Sequence, residues 1–190
     1  MKSFFYPFLI IIAGAVIIVS LMVLKNGTIF QEGIKPIFPS PSIIQKPKIN
    51  LVGSLWLEKS NQPAKVSEPI TVIVYADSKH QPITGFDVVL SFNPEYTQFV
   101  SQKNLEENFD VFKTTDEGLI HITAIKKLNS NVLVLFDKTP LIEYTFQPIR
   151  SGKTDFTLIF SPGQKTDSNL INDKSEEILG EVENLNVEIQ

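Results

Sequence analysis

Two different patterns of hydrophobic and polar positions share this chain. Residues 4–24 read FFYPFLIIIAGAVIIVSLMVL, 21 positions without a charge. At a helical rise of about 1.5 Å per residue they reach roughly 30 Å, the thickness of a bilayer's hydrocarbon core. The run predicts one uncleaved transmembrane helix over 1–25. A cleaved signal peptide is the rival reading, since Lys2 supplies a positive start, but the apolar part of such peptides runs only about 7–15 residues and no small-residue cleavage site follows Leu24. From Ile49 onward the pattern changes to short apolar runs of period near two, broken by turn residues at intervals of roughly ten.

That second pattern predicts strands at 51–58, 70–76, 85–92, 97–102, 109–114, 119–125, 132–136, 141–148, 154–160 and 182–189. Turn residues stand between them, as at His80-Gln81-Pro82, Asn93-Pro94, Asp116-Glu117-Gly118, Ser151-Gly152 and Ser161-Pro162-Gly163. Successive side chains of a strand point to opposite faces, so Phe86, Val88, Leu90 and Phe92 share the core side while Asp87, Val89 and Ser91 point outward. The same rule buries Val72, Val74 and Ala76, then Ile120, Ile122 and Ala124, then Phe156, Leu158 and Phe160. Inner faces of this kind, stacked about 10 Å apart, make an all-β sandwich.

Between the two patterns, residues 26–48 contain Pro36, Pro39, Pro41 and Pro47, which bias the backbone toward extended polyproline II. The organisation expected is therefore an anchor at 1–25, a Pro-rich linker at 26–48 and a sandwich domain at 49–190. One Lys on each side of the apolar run orients it weakly. A short N-terminus inside is favoured, because the β domain then follows the exported end. The expected location is the cell membrane, single-pass, with the C-terminal domain extracytoplasmic.

Charge sharpens the picture. The chain carries a net charge of −4, but residues 1–48 hold five Lys and one acid, which leaves 12 Lys and Arg against 20 Asp and Glu in residues 49–190. An acidic domain argues against nucleic acid as a partner. With no Cys there is neither a disulfide nor a thiol nucleophile, and the two histidines, His80 and His121, fall on a predicted turn and a predicted strand. Zinc-protease spacing, phosphate loops and metal-ligand runs are lacking, so a non-enzymatic protein without cofactor or metal centre is expected. The acid pairs Glu106-Glu107, Asp116-Glu117 and Glu176-Glu177 lie in turn regions and read as solvated loops. Asp167, Asn169, Asn172 and Asp173 gather hard oxygens in one loop, which raises calcium, though without the ordered spacing of a dedicated calcium loop. Trp56 reads as packing or as a sugar-stacking surface.

The stretch GFDVVLSFNPEYTQFV at 85–100 resembles the third and fourth strands of cohesin domains, the modules that bind dockerins. Residues 118–124, 141–160 and 167–189 are similar, in order, to the family's later glycine-led strand, its strand–turn–strand and its closing acidic loop and last strand. The resemblance implies a nine-stranded jelly-roll β-sandwich that recognises a protein partner through one sheet face. An Asp on the third strand helps bind the dockerin in that family, and by position it corresponds to Asp87. Val89, His121 and Thr123 on the same outward side complete the candidate partner-binding set. The reading that results is a membrane-anchored, extracytoplasmic binding module for a dockerin-like or other surface protein. Two alternatives stand beside it: a sandwich that binds polysaccharide, for which Trp56, Tyr75, Tyr96 and Tyr144 are the candidate aromatics, and a structural subunit of a surface assembly.

Overall fold

The computed structural model describes residues 51–190 apart from 61, 62 and 165. The expected membrane helix at 1–25 and linker at 26–48 lie outside the described residues. The strands in chain order are β1 (Gly53–Lys59), β2 (Ile70–Asp77), β3 (Ile83–Phe92), β4 (Thr97–Asn104), β5 (Phe109–Asp116), β6 (Leu119–Lys126), β7 (Thr139–Pro148), β8 (Gly152–Leu158), β9 (Asn169–Asn172), β10 (Leu179–Glu183) and β11 (Leu185–Ile189). They form two sheets. The first has the order β10-β1-β2-β7-β4, and the second the order β11-β8-β3-β6-β5 with β9 added against β3.

Alternation decides which side of each strand is covered. Val72, Val74 and Ala76 of β2, Phe86, Val88 and Leu90 of β3, and Ile120, Ile122 and Ala124 of β6 are all buried in one cluster, as their spacing predicts. Phe92 and Phe160 are partly buried against it. Phe146 of β7 sits at the centre. Its ring lies 5.1 Å from that of Phe92 and 4.7 Å from that of Phe156, both in the opposite sheet. Burying an aromatic side chain of this size contributes roughly 2–3 kcal/mol, and such tilted ring pairs add about 1 kcal/mol. The hydroxyl of Tyr144 is buried in the same core without a hydrogen-bond partner, and burial pushes its pKa up. At the first position of β8, Gly152 adopts φ 136°, where a Cβ would stand 2.7 Å from the Tyr96 ring. Only glycine fits both demands.

Eleven strands stand among the described residues, where alternation predicts ten segments and the resemblance implies nine; three local differences separate the eleven from the ten. The predicted strand at 132–136 is absent: Val134 and Phe136 are buried, but the segment pairs only through an isolated bridge from Leu135 to Pro82. Proline has no N–H to extend that ladder, and the Phe136 N–H donates instead to the Ser78 hydroxyl at 3.1 Å. The second difference is β9, which lies within a stretch read as a loop; its polar ends are paired to β3 rather than solvated. The third is the final segment, where the run read as one strand at 182–189 breaks at Asn184 into β10 and β11, which belong to different sheets. The Asn184 side-chain oxygen accepts the Leu158 N–H at 2.8 Å and secures the crossing.

Candidate partner-binding face

The outward side of the six-stranded sheet brings three of the four sequence-predicted site residues together. Antiparallel register sets Thr123 of β6 opposite Asp87 of β3 and Phe112 of β5 opposite Thr123, while Asn169 of β9 flanks Asp87 on the other side. Phe112, Thr123, Asp87 and Asn169 thus run in one row across four strands. The Thr123 hydroxyl donates to Asp87 Oδ1 at 2.6 Å, and the Asn169 amide donates to Asp87 Oδ2 at 2.7 Å. His121 Nε2 stands 3.3 Å from Asp87 Oδ1. The main chain joins in, since the Asp87 N–H donates to the Asn169 side-chain oxygen at 3.2 Å. A carboxylate offers about four acceptor positions, so Asp87 is held in one orientation and keeps acceptor capacity toward solvent.

Val89 departs from expectation. It lies on the outer side by parity, opposite His121, yet it is only 3% exposed. The cause is local: at Val89 the neighbour of β3 changes from β8 to β9, and the connecting chain closes over it. The Ile159 N–H donates to the Val89 carbonyl at 2.8 Å, and the Val89 N–H donates to the Ser168 hydroxyl at 3.0 Å. Val89 is therefore part of the interior of this domain and is withdrawn as a contact residue.

Two residues outside the predicted set belong to the face. Phe112 is 60% exposed and Ile125 is 52% exposed, and both stand beside Thr123, one across the ladder and one two residues along β6. The signal for them is parity in the sequence: if Phe109 and Val111 turn inward, Phe112 must turn out, and Ile125 follows His121 and Thr123. Asn169, considered above only as a calcium ligand, is instead the residue that steadies Asp87. Large apolar side chains left in water next to a fixed polar network are the usual anatomy of a protein contact, with an apolar centre and a polar surround.

The aromatic residues considered for sugar binding do not form a row on one face. Tyr144 is buried in the core and Tyr96 packs against it. Trp56 and Tyr75 lie on the outer side of the other sheet, their rings stacked on each other at 5.6 Å and 15°. The Trp56 indole donates to Glu58 at 2.8 Å. The four oxygen-bearing residues considered for calcium also separate. The Asn172 amide bonds Gln81 and Glu176, its oxygen accepts two backbone N–H groups, Asn169 serves Asp87, and Asp173 is exposed. Among the described residues no three His, Asp or Glu side chains gather as a metal site.

No protein-family model matches the sequence, and no curated protein matches it. Solved structures do match. A cohesin module from the family 33 glycoside hydrolase of Clostridium perfringens ATCC13124 superposes with a TM-score of 0.58 at 13% identity, over 74% of this chain and 98% of that module. The sixth cohesin of Acetivibrio cellulolyticus scaffoldin B, solved in complex with a mutant Cel5 dockerin, gives 0.58 at 11% identity over 73% of this chain and 99% of the cohesin. A non-cellulosomal cohesin from the hyperthermophilic archaeon Archaeoglobus fulgidus gives 0.54 at 11% identity, over 73% and 91%. At such identities the likeness is one of architecture, and what it shows is that this chain carries a cohesin-like fold.

Proposed function

We propose that this protein is a non-catalytic binding module that holds a protein partner of the dockerin type on the outer face of the six-stranded sheet. In the same reading the apolar run at 4–24 anchors the chain in a membrane, and the module works outside the cytoplasm at the end of the Pro-rich linker. The observation that carries the binding part is the row from Phe112 to Asn169, a carboxylate fixed by three side chains with exposed apolar residues at its edge. Some of the solved structures that this chain matches are cohesin–dockerin complexes.

Calorimetry against a panel of purified dockerins tests it. At least one should bind, and Asp87→Ala should weaken that complex about tenfold or more while leaving the circular dichroism of the free protein unchanged. Binding that ignores Asp87→Ala would place the contact elsewhere on the domain. For the anchor, the full chain should stay with membranes after a high-salt wash, and protease added outside intact cells should remove the module.

A further inference from the structure

Asp167, in the loop after β8, and Glu177, in the hairpin between β9 and β10, are close enough for the charge of one to act on the other, and the partner face uses neither. Asp167 is only 4% exposed. One of its oxygens accepts the Ser161 N–H and closes the loop, but the other, Oδ1, is buried with no hydrogen-bond partner. Glu177, on the hairpin, also buries an oxygen, Oε1, without a partner. Burial and the neighbouring Asp167 charge push the Glu177 carboxyl up, against a smaller pull downward from the Gly163 backbone N–H. Two acids that repel each other with their free oxygens out of water are costly unless something positive stands between them.

We propose that Asp167 Oδ1 and Glu177 Oε1 are ligands of a hard divalent cation of the calcium type, which clips the 159–168 loop to the β9–β10 hairpin. Calcium takes about six to eight oxygens and accepts main-chain carbonyls and water beside carboxylates, so two acids can suffice when water and carbonyls complete the shell. The site differs from the four-residue set read from the sequence: of that set only Asp167 remains, and Glu177 is added. Its position matters because the next two residues after Asp167 are Ser168 and Asn169, which bond Val89 and Asp87. A cation here would hold the segment that backs the third strand.

The test is thermal unfolding of the full chain in detergent, in excess chelator and in excess CaCl2, with NaCl at matched ionic strength as control. Calcium at about a hundredfold over its dissociation constant should raise Tm by roughly 5–10 °C, and calorimetric titration with CaCl2 should show one site. Asp167→Asn and Glu177→Gln should each abolish the calcium response and, by removing the repulsion, leave the chelated protein at least as stable as chelated wild type. Two substitutions keep the test open if one of them impairs folding. An equal shift with NaCl, or a Tm indifferent to calcium that rises as the pH is lowered, would mean that screening or a shared proton neutralises the pair and would overturn the proposal.

Discussion

On the five-stranded sheet the outward positions carry Trp56 stacked on Tyr75, with Glu58, Glu143, Glu181 and Glu183 around them; on the six-stranded sheet they carry Asp87, Thr123 and His121, with Phe112 and Ile125 beside them. Both faces follow the same period of two, and both contain aromatic and charged residues. The difference lies in what is left over. The aromatic pair on the first face satisfies itself, ring on ring and indole on Glu58, and the carboxylates around it repel further acidic surface. The second face ties its acid down with neutral donors and leaves its apolar groups facing water. Composition alone would rank the first face, which holds the single Trp, as the better binding surface. Geometry reverses the ranking.

Substitutions can break this contrast. The largest effect is expected for Asn169→Ala, which strips the carboxylate and the backbone N–H of Asp87 of their partner at a buried position. It should cost about 2–3 kcal/mol in urea unfolding and weaken partner capture as well. The double change Phe112→Ala with Ile125→Ala should reduce partner affinity by at least about tenfold, near 1.4 kcal/mol, while unfolding stability stays within roughly 0.5 kcal/mol of wild type; a stability loss as large as the affinity loss would make these residues part of the domain's own packing. Trp56→Ala should do the opposite, costing about 1 kcal/mol of stability through the lost ring pair with calorimetric affinity for the partner unchanged. If it abolished capture, the two faces would have to exchange roles.

The smallest effect concerns pH. Burial pushes the Asp77 carboxyl up, but the Lys79 ammonium at 2.6 Å and the Lys79 backbone N–H at 2.8 Å outweigh it and leave the group below its usual value of 3.8. A carboxyl lowered in the folded state adds stability above its unfolded pKa and loses it as pH falls through the folded one. The stability difference between wild type and Asp77→Asn, measured by urea melts, should therefore be steady at neutral pH and shrink below about pH 4. A difference that grows toward acid would reverse the assignment.

Much of this domain was legible in the sequence where one face of a strand is buried and the other wet. Val72 to Ala76 and Ile120 to Ala124 alternate without exception, Phe86 to Leu90 does so apart from Val89, and their strands begin and end within two residues of expectation. Asp87 and Thr123 could be placed on one face by counting alone. Where the period failed, another group had taken over the role of water. The sequence NLIN at β9 looks like a loop because its Asn residues are polar, yet both are buried and bonded. Val89 looks like a surface residue because parity says so, and it is covered by chain that returns from 70 residues later in the sequence. The apolar run at 132–136 has strand composition without a ladder, since its neighbour is Pro82. Long-range coverage of this sort leaves no mark on local periodicity.

Asn184 has a mechanical consequence. It separates β10, at the edge of one layer, from β11, at the edge of the other, with no residue to spare. A slip of either edge strand by one place would drag the other with it and turn Val187 and Ile189 toward solvent. The stitch at this corner therefore couples the register of one layer to that of the other.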